Sequence, residues 1–341
     1  MKILLIGGTG TISSAITRQL SESGHDLWLL NRGTRKKEVP ASVHQIVCDI
    51  SDETEVLRLI GDERWDAVCE FVGFVPEQVE RDIRLFKGRT HQYVYISSAS
   101  AYNKPARSPY ITEATTLANP YWEYSRNKIA CEELLMHEYR ATGFPVTIVR
   151  PSHTYCERAV PVSVHGLKGS WQVLRRIMDG RPVIIQGDGS SLWTLTWNED
   201  FARGFIGLLG NPKAIGEAFQ IMSDEQLTWT QIYECVANAL GTTVKPYYVA
   251  SEFLAAVAPK AWDFEGNLLG DKSITVVFDC TKLKRAVPGF QCTTRFDEGV
   301  RRCIYHILAH PELQIPDPEF DVWCDRVIES EEEAKLKLKE Q

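Results

Sequence analysis

The stretch KILLIGGTGTIS, Lys2 to Ser13, constrains the fold of this chain more than any other. A short apolar run ending on paired glycines reads as a strand buried on both faces, as in a parallel sheet. SSAITRQLSESG follows with helical periodicity and closes on Gly24, a residue suited to a helix stop. Glycines between a strand and a helix let the backbone turn tightly and approach a pyrophosphate, while the helix N-terminus offers free N–H groups and the positive end of its dipole. Gly7 and Gly10 form G-x-x-G, with Ser13 where a third glycine often stands. A dinucleotide-binding turn is therefore expected here.

The alternation continues. DLWLLNR, HQIVCDI, DAVCEFVGF, HQYVYISSAS and PVTIVRP read as further strands; EVLRLIGDERW and Ser125 to Thr142 read as helices. Strands alternating with helices imply a parallel sheet covered on both faces. The expected fold class is α/β, a Rossmann-type doubly wound parallel sheet with a smaller α+β C-terminal substrate domain. Residues 1–155 form the dinucleotide-binding domain and receive segments near 193–220 and 275–285. Residues 156–192, 221–274 and 286–330 form the substrate domain. The tail 331–341 reads as an exposed or fraying helix with Glu331–Lys335 and Glu333–Lys337 at i,i+4 spacing.

Composition narrows the function classes. The 341 residues carry a net charge of -7, which disfavours nucleic acid or an anionic membrane as partner. Nine cysteines without C-x-x-C spacing argue against a disulfide framework or a zinc knuckle, and the eight histidines include no H-E-x-x-H, so no metal site is expected. The apolar run at the N-terminus is too short for a signal sequence or a span, and no 18-residue apolar stretch follows. A cytoplasmic protein is expected.

The end of the second strand selects the cofactor. An acid there would bind the adenosine ribose hydroxyls. The chain instead has Asn31, followed by the basic stretch RGTRKK. Asn31 does not repel a 2′-phosphate, and Arg32, Arg35 and Lys36 would neutralise one. NADP is favoured over the alternative, NAD; in the other reading Arg32 only stacks on adenine and the stretch through Lys37 is a solvated loop.

YWEYSRNK, Tyr121 to Lys128, holds Tyr124 and Lys128 four apart, on one face of a helix. A free phenol, with a pKa near ~10, is a poor base at neutral pH, and a neighbouring ammonium favours the phenolate. Together with GGTGTIS, CDI (Cys48 to Ile50), EFVGF, YISSASAY, VRPSHTY and GDGSSLWTLTWNED, this motif gives the chain a specific order of features. It resembles the extended short-chain dehydrogenase/reductase family, the epimerases and dehydratases such as UDP-glucose 4-epimerase, from Met1 to about His310.

The resemblance implies catalysis by Ser98, Tyr124 and Lys128. Ser98 would hydrogen-bond the substrate oxygen, Tyr124 would move its proton, and Lys128 would hold the nicotinamide ribose while hydride passes to or from the nicotinamide. It implies cofactor contacts from Gly7, Thr9, Gly10, Thr11, Ile12, Asn31, Arg32, Arg35, Asp49, Ile50, Phe71, Val72, Gly73, Lys128 and Pro151. Substrate contacts would come from Ser100, Tyr121, His153 and Trp193. Homodimerisation through the Tyr124 helix and the one around Val79 to Phe86 is also implied.

Three departures shape the expected function. Ala99 and Ser100 stand where the 4,6-dehydratases of the family carry an Asp-Glu pair, so that elimination lacks its acid and base. Trp193 stands where many members place a diphosphate-gripping arginine, and an indole makes no such clamp. SHTYCER, Ser152 to Arg158, differs from the usual asparagine and glycine. The expectation is an NAD(P)-dependent oxidoreductase or epimerase acting on a sugar-like or nucleotide-sugar substrate. The alternative is a non-catalytic NADP-binding regulator or RNA-associated protein on the same fold.

Overall fold

The structure, a computed structural model, describes residues 1–35 and 39–340; Lys36 and Lys37 of the basic stretch lie outside the described residues. Contacts divide the chain into two compact units: Met1–Thr154 with Thr194–Asp224 and Val277–Thr293, and Tyr155–Trp193 with Glu225–Val276 and Thr294–Gln341.

The first unit is built on a seven-stranded sheet. Numbered along the chain, its strands are β1 (Lys2–Ile6), β2 (Asp26–Asn31), β3 (His44–Val47), β4 (Ala67–Glu70), β5 (Tyr93–Ile96), β6 (Val146–Pro151) and β7 (Glu217–Ile221). Their order is β7-β6-β5-β4-β1-β2-β3, all parallel. The doubly wound fold expected from the alternation is thus present. The order reverses between β1 and β4, the switch point beyond whose strand ends such sheets bind ligands.

Alternate side chains of each strand enter opposite layers. Ile3 and Leu5 of β1 join Leu27, Leu29 and Val94 beneath α1 (Ser13–Glu22) and the helix Asn198–Leu208, whose Ala15, Ile16, Phe201 and Phe205 close that layer. Leu4 and Ile6 join Leu30, Ile46 and Tyr95 beneath α2 (Glu53–Ile60), α3 (Pro76–Phe86) and α4 (Glu123–Thr142). These residues are almost wholly buried; full burial of each large aliphatic side chain is worth about 1.5–3 kcal/mol.

Two element boundaries differ from expectation. EVLRLIGDERW is not one helix: α2 stops at Ile60 because Gly61 takes φ +53, and Trp65 pairs as an extended residue with Thr90. Strand β7 escaped the pattern because its Gln220 is buried, with hydrogen bonds to Tyr102, the Ile111 carbonyl and the Asp279 carbonyl.

The second unit contains helices Trp171–Met178, Trp229–Ala239, Ser251–Val257, Phe296–Ala309 and Pro318–Lys339, with Val183–Gln186 paired in parallel to Pro246–Val249. The charged tail is the end of the last helix. Lys335 does not pair with Glu331; it binds Glu332 at 2.8 Å and the Tyr247 hydroxyl at 2.9 Å, and Tyr247 donates to Glu332. The phenol draws both side chains to one side of the helix. Among the described residues no helix is long and apolar enough to cross a membrane.

Candidate active site

Ten of the fifteen sequence-predicted cofactor residues line one cleft of about 680 Å³ in the first unit; Thr11, Ile12, Gly73, Lys128 and Pro151 are not part of its lining. Gly7, Thr9, Gly10, Asn31, Arg32, Arg35, Asp49, Ile50, Phe71 and Val72 line it. This volume falls in the range of small-molecule sites. Gly7 and Gly8 adopt φ +108 and +101. A Cβ on Gly7 would meet Phe71 and Val72 at 3.4 Å, and one on Gly8 would drive into Leu29 at 2.4 Å. The first glycine keeps the cleft floor open; the second lets the turn close on the sheet. The Gly8 carbonyl accepts from Thr17 at 2.7 Å, and the Gly10 N–H donates to the Ser13 hydroxyl at 3.0 Å. A dinucleotide suits this cradle: bare backbone at a strand–helix turn is what a pyrophosphate approaches. Thr11 and Ile12 continue the turn into α1, with Asn198 donating to the Thr11 carbonyl.

The far end of the cleft carries the charge. The Asn31 side chain accepts from the Gly33 N–H at 2.8 Å, shaping the turn that follows β2. Arg32 is exposed, whereas Arg35 donates to the Thr9 carbonyl at 3.0 Å. Asp49 accepts from the backbone and hydroxyl of Ser51 at 2.9 and 2.8 Å, which holds its carboxyl below the usual range.

Beyond β4 the loop Phe71–Phe74 is tied down by Glu70, which is fully buried and accepts from the Val72 N–H. Asp82 lies beside it, bonded by Arg81 and by the Tyr93 hydroxyl at 2.8 Å. Burial first, and Asp82 second, push the Glu70 carboxyl well above its ordinary range. The Gly73 carbonyl then receives the Tyr95 hydroxyl at 3.1 Å and the Lys128 ammonium at 2.7 Å.

Tyr124 and Lys128 lie on the first turns of α4. Lys128 is 2 % exposed, and its ammonium bonds the carbonyls of Gly73 and Ile96, both at 2.7 Å. It sits 4.9, 4.8 and 5.8 Å from the ring centres of Phe74, Tyr95 and Tyr124. Desolvation pulls its pKa down to about 8. Tyr124 is half-buried, its ring packed on Trp122 at 4.9 Å and near Phe74 at 6.4 Å.

Ser98 follows β5 and is half-buried. Its hydroxyl meets that of Ser100 at 2.9 Å, and Ser100 meets Ser125 at 2.7 Å. Ser100, 2 % exposed, is thus turned inward between two hydroxyls. Asn119 ties this turn to α4: its amide donates to the Ser100 carbonyl at 2.9 Å, and its oxygen accepts from the N–H groups of Tyr121 and Trp122. Tyr121 is exposed, Pro151 is buried at the end of β6, and His153 is half-buried two residues further on. Trp193 belongs to the second unit, where it is 3 % exposed and packs on Trp229 at 5.5 Å. Glu70, Phe74, Asn119 and Ser125 were not singled out from sequence. Glu70 and Phe74 lie in the quoted EFVGF stretch, and Ser125 directly follows Tyr124 in the quoted YWEYSRNK.

A buried strand–glycine–helix cradle, with a serine strand and a tyrosine–lysine helix in the same unit, defines a nucleotide-dependent enzyme of the dehydrogenase/reductase class. Residues 3–221 match the NAD dependent epimerase/dehydratase family, and the chain belongs to that family, within the extended short-chain dehydrogenases/reductases. The chain is 27% identical to 2′-dehydrokanamycin reductase of Streptomyces kanamyceticus, over 85% of this chain and 80% of that protein. It is 29% identical to chloroplast stem-loop binding protein of 41 kDa b of Arabidopsis thaliana, over 70% and 63%. Its fold is similar to that of UDP-glucuronic acid 4-epimerase from Bacillus cereus, solved in complex with NAD, at a TM-score of 0.69, 17% identity, and 91% and 98% coverage.

Proposed function

We propose that this enzyme is an NADP(H)-dependent oxidoreductase that interconverts a carbinol and a carbonyl on a sugar-like compound, with net reduction as its main direction. One observation carries the reading: a lysine buried to 2 % exposure, bonded to two backbone carbonyls, with a half-buried tyrosine on the same helix face. Burying an ammonium without a carboxylate partner is unfavourable, so a function must retain it. Bound in the cleft, the cofactor would supply or accept hydride. Lys128 fixes the positive charge beside Tyr124, Tyr124 gives or takes the proton at the substrate oxygen, and Ser98 hydrogen-bonds that oxygen.

Gly7, Thr9 and Gly10 would hold the pyrophosphate; Asp49, Ile50 and Arg32 would hold the adenosine end. An exposed Arg32 after Asn31 in place of an acid supports NADP over NAD. The similarity to a reductase of a keto-aminoglycoside supports net reduction over epimerisation. Trp193, buried where an arginine would grip a diphosphate, speaks against a nucleotide sugar. Homodimerisation through α3 and α4 belongs to the same reading.

The test is NADPH oxidation with 2′-dehydrokanamycin and with UDP-4-keto-sugars as carbonyl probes. The Tyr124→Phe variant is expected to lose at least about a hundredfold in turnover, the range for a lost general acid, with NADPH affinity unchanged. Full activity in that variant would refute the assignment. The similarity to a stem-loop binding protein favours a second reading, an RNA-associated protein. A gel shift with stem-loop RNA that persists at physiological salt and in Tyr124→Phe would favour it.

A further inference from the structure

The hydroxyls of Ser98, Ser100 and Ser125 form a chain that runs from the half-buried Ser98 into the core. The steps are 2.9 Å and 2.7 Å, and both inner serines are buried, Ser100 at 2 % and Ser125 at 0 % exposure. A serine hydroxyl has one proton to donate and two lone pairs to accept with. That inventory fixes the direction of the chain. Among the described residues the Ser125 hydroxyl has no other hydrogen-bond partner, so Ser100 is the acceptor of its proton. Were Ser100 to donate inward instead, the Ser125 proton would be buried with no acceptor, an arrangement that folded proteins avoid. With Ser125 donating, the one proton of Ser100 goes outward to Ser98. The Ser98 oxygen also accepts from the Ser100 N–H at 3.2 Å. Both of its lone pairs are then engaged by Ser100, and its own proton is left for a partner outside this chain of hydroxyls.

We propose that Ser125 and Ser100 are positioning residues that lock Ser98 as a hydrogen-bond donor, so that the oxygen it meets must be an acceptor, a carbonyl or developing alkoxide. This rests on the functional reading above for the identity of that oxygen; the direction of the chain does not. On that functional reading Ser98 would be a second donor to the reacting oxygen, beside the Tyr124 phenol. Each hydroxyl that accepts a bond becomes a stronger donor at its own proton, so Ser125 acts on the site through two intervening atoms.

Neutron diffraction from deuterium-exchanged crystals of the protein tests the direction. The deuteron of Ser125 is expected on the line to Ser100 and that of Ser100 on the line to Ser98. A deuteron of Ser98 on the line to Ser100 overturns the proposal. A kinetic cycle with NADPH and 2′-dehydrokanamycin tests the consequence. Ser125→Ala is expected to lower kcat about threefold to tenfold, the effect of about one hydrogen bond, with KM unchanged. In a Ser98→Ala background the same change is expected to cost nothing further. Equal losses in both backgrounds overturn the relay, because a merely structural role is indifferent to Ser98. Ser98→Ala with full turnover, or no turnover of any carbonyl probe by the unmodified enzyme, overturns the functional reading instead, and the deuteron positions then decide the relay alone.

Discussion

Replacing Lys128 by methionine keeps an unbranched side chain, one atom shorter, and removes its charge. The ammonium is 2 % exposed and its pKa falls from the ordinary 10.5 to about 8 because of burial. That gap, at ~1.36 kcal/mol per pH unit, sets the penalty for the buried charge at about 3 kcal/mol at neutral pH. The folded lysine releases its proton at lower pH than the unfolded one. Between about pH 8 and pH 10.5 the unfolded chain therefore holds a proton that the folded chain has lost, and stability rises with pH across that window. The full penalty applies below it and vanishes above it. The wild-type protein is expected to become more stable relative to Lys128→Met by about 2 kcal/mol between pH 7 and pH 9.5. A neutral amine still has protons for the Gly73 and Ile96 carbonyls, so those bonds do not obscure the trend. Urea denaturation of both proteins without cofactor, followed by tryptophan fluorescence at half-unit pH steps, measures the difference. A difference that stays constant with pH, or that moves in favour of the methionine variant, refutes the claim that desolvation depresses this lysine.

Three further outcomes are expected. Arg150→Leu leaves Glu132, 3 % exposed, without the guanidinium that bonds it at 2.9 and 2.5 Å, and is expected to lower the unfolding free energy by about 3–5 kcal/mol in a urea titration. Adding Glu132→Gln is expected to recover part of that loss. Gly8→Ala forces an L side chain to φ +101 against Leu29 and is expected to cost at least about 1–3 kcal/mol and to weaken cofactor binding measured by NADPH fluorescence titration. Arg32→Asp is expected to shift the ratio of NADP to NAD affinity toward NAD by at least about tenfold, read by titration with each cofactor; an unchanged ratio rules out Arg32 as the phosphate-reading residue.

The central sheet was legible because buried parallel strands advertise themselves. Ile3 to Ile6 and Tyr93 to Ile96 have no solvent side to encode, so their sequences are unbroken apolar runs. The glycine turn was legible for a similar reason, though Gly7 and Gly10 drew attention and Gly8, which presses against Leu29, did not. Helix α4 shows little apolar periodicity, because its inward face carries Ser125, Lys128 and Glu132 beside Cys131 and Leu135. There the helix was read from the alternation, and the Y-x-x-x-K spacing marked the site residues on it. The Ser100–Ser125 contact could not be read at all. Its partners are 25 residues apart, and the Asn119 brace between the serine turn and α4 helps to bring them together. Lone serines and asparagines are too common for their positions to carry a pattern.

The hydrogen bonds of Lys128 run to main-chain oxygens, those of Gly73 and Ile96. A carbonyl cannot be substituted, so ordinary point changes around the pocket leave the hold on this cation intact. Side chains around the pocket can change while the position of this ammonium stays put.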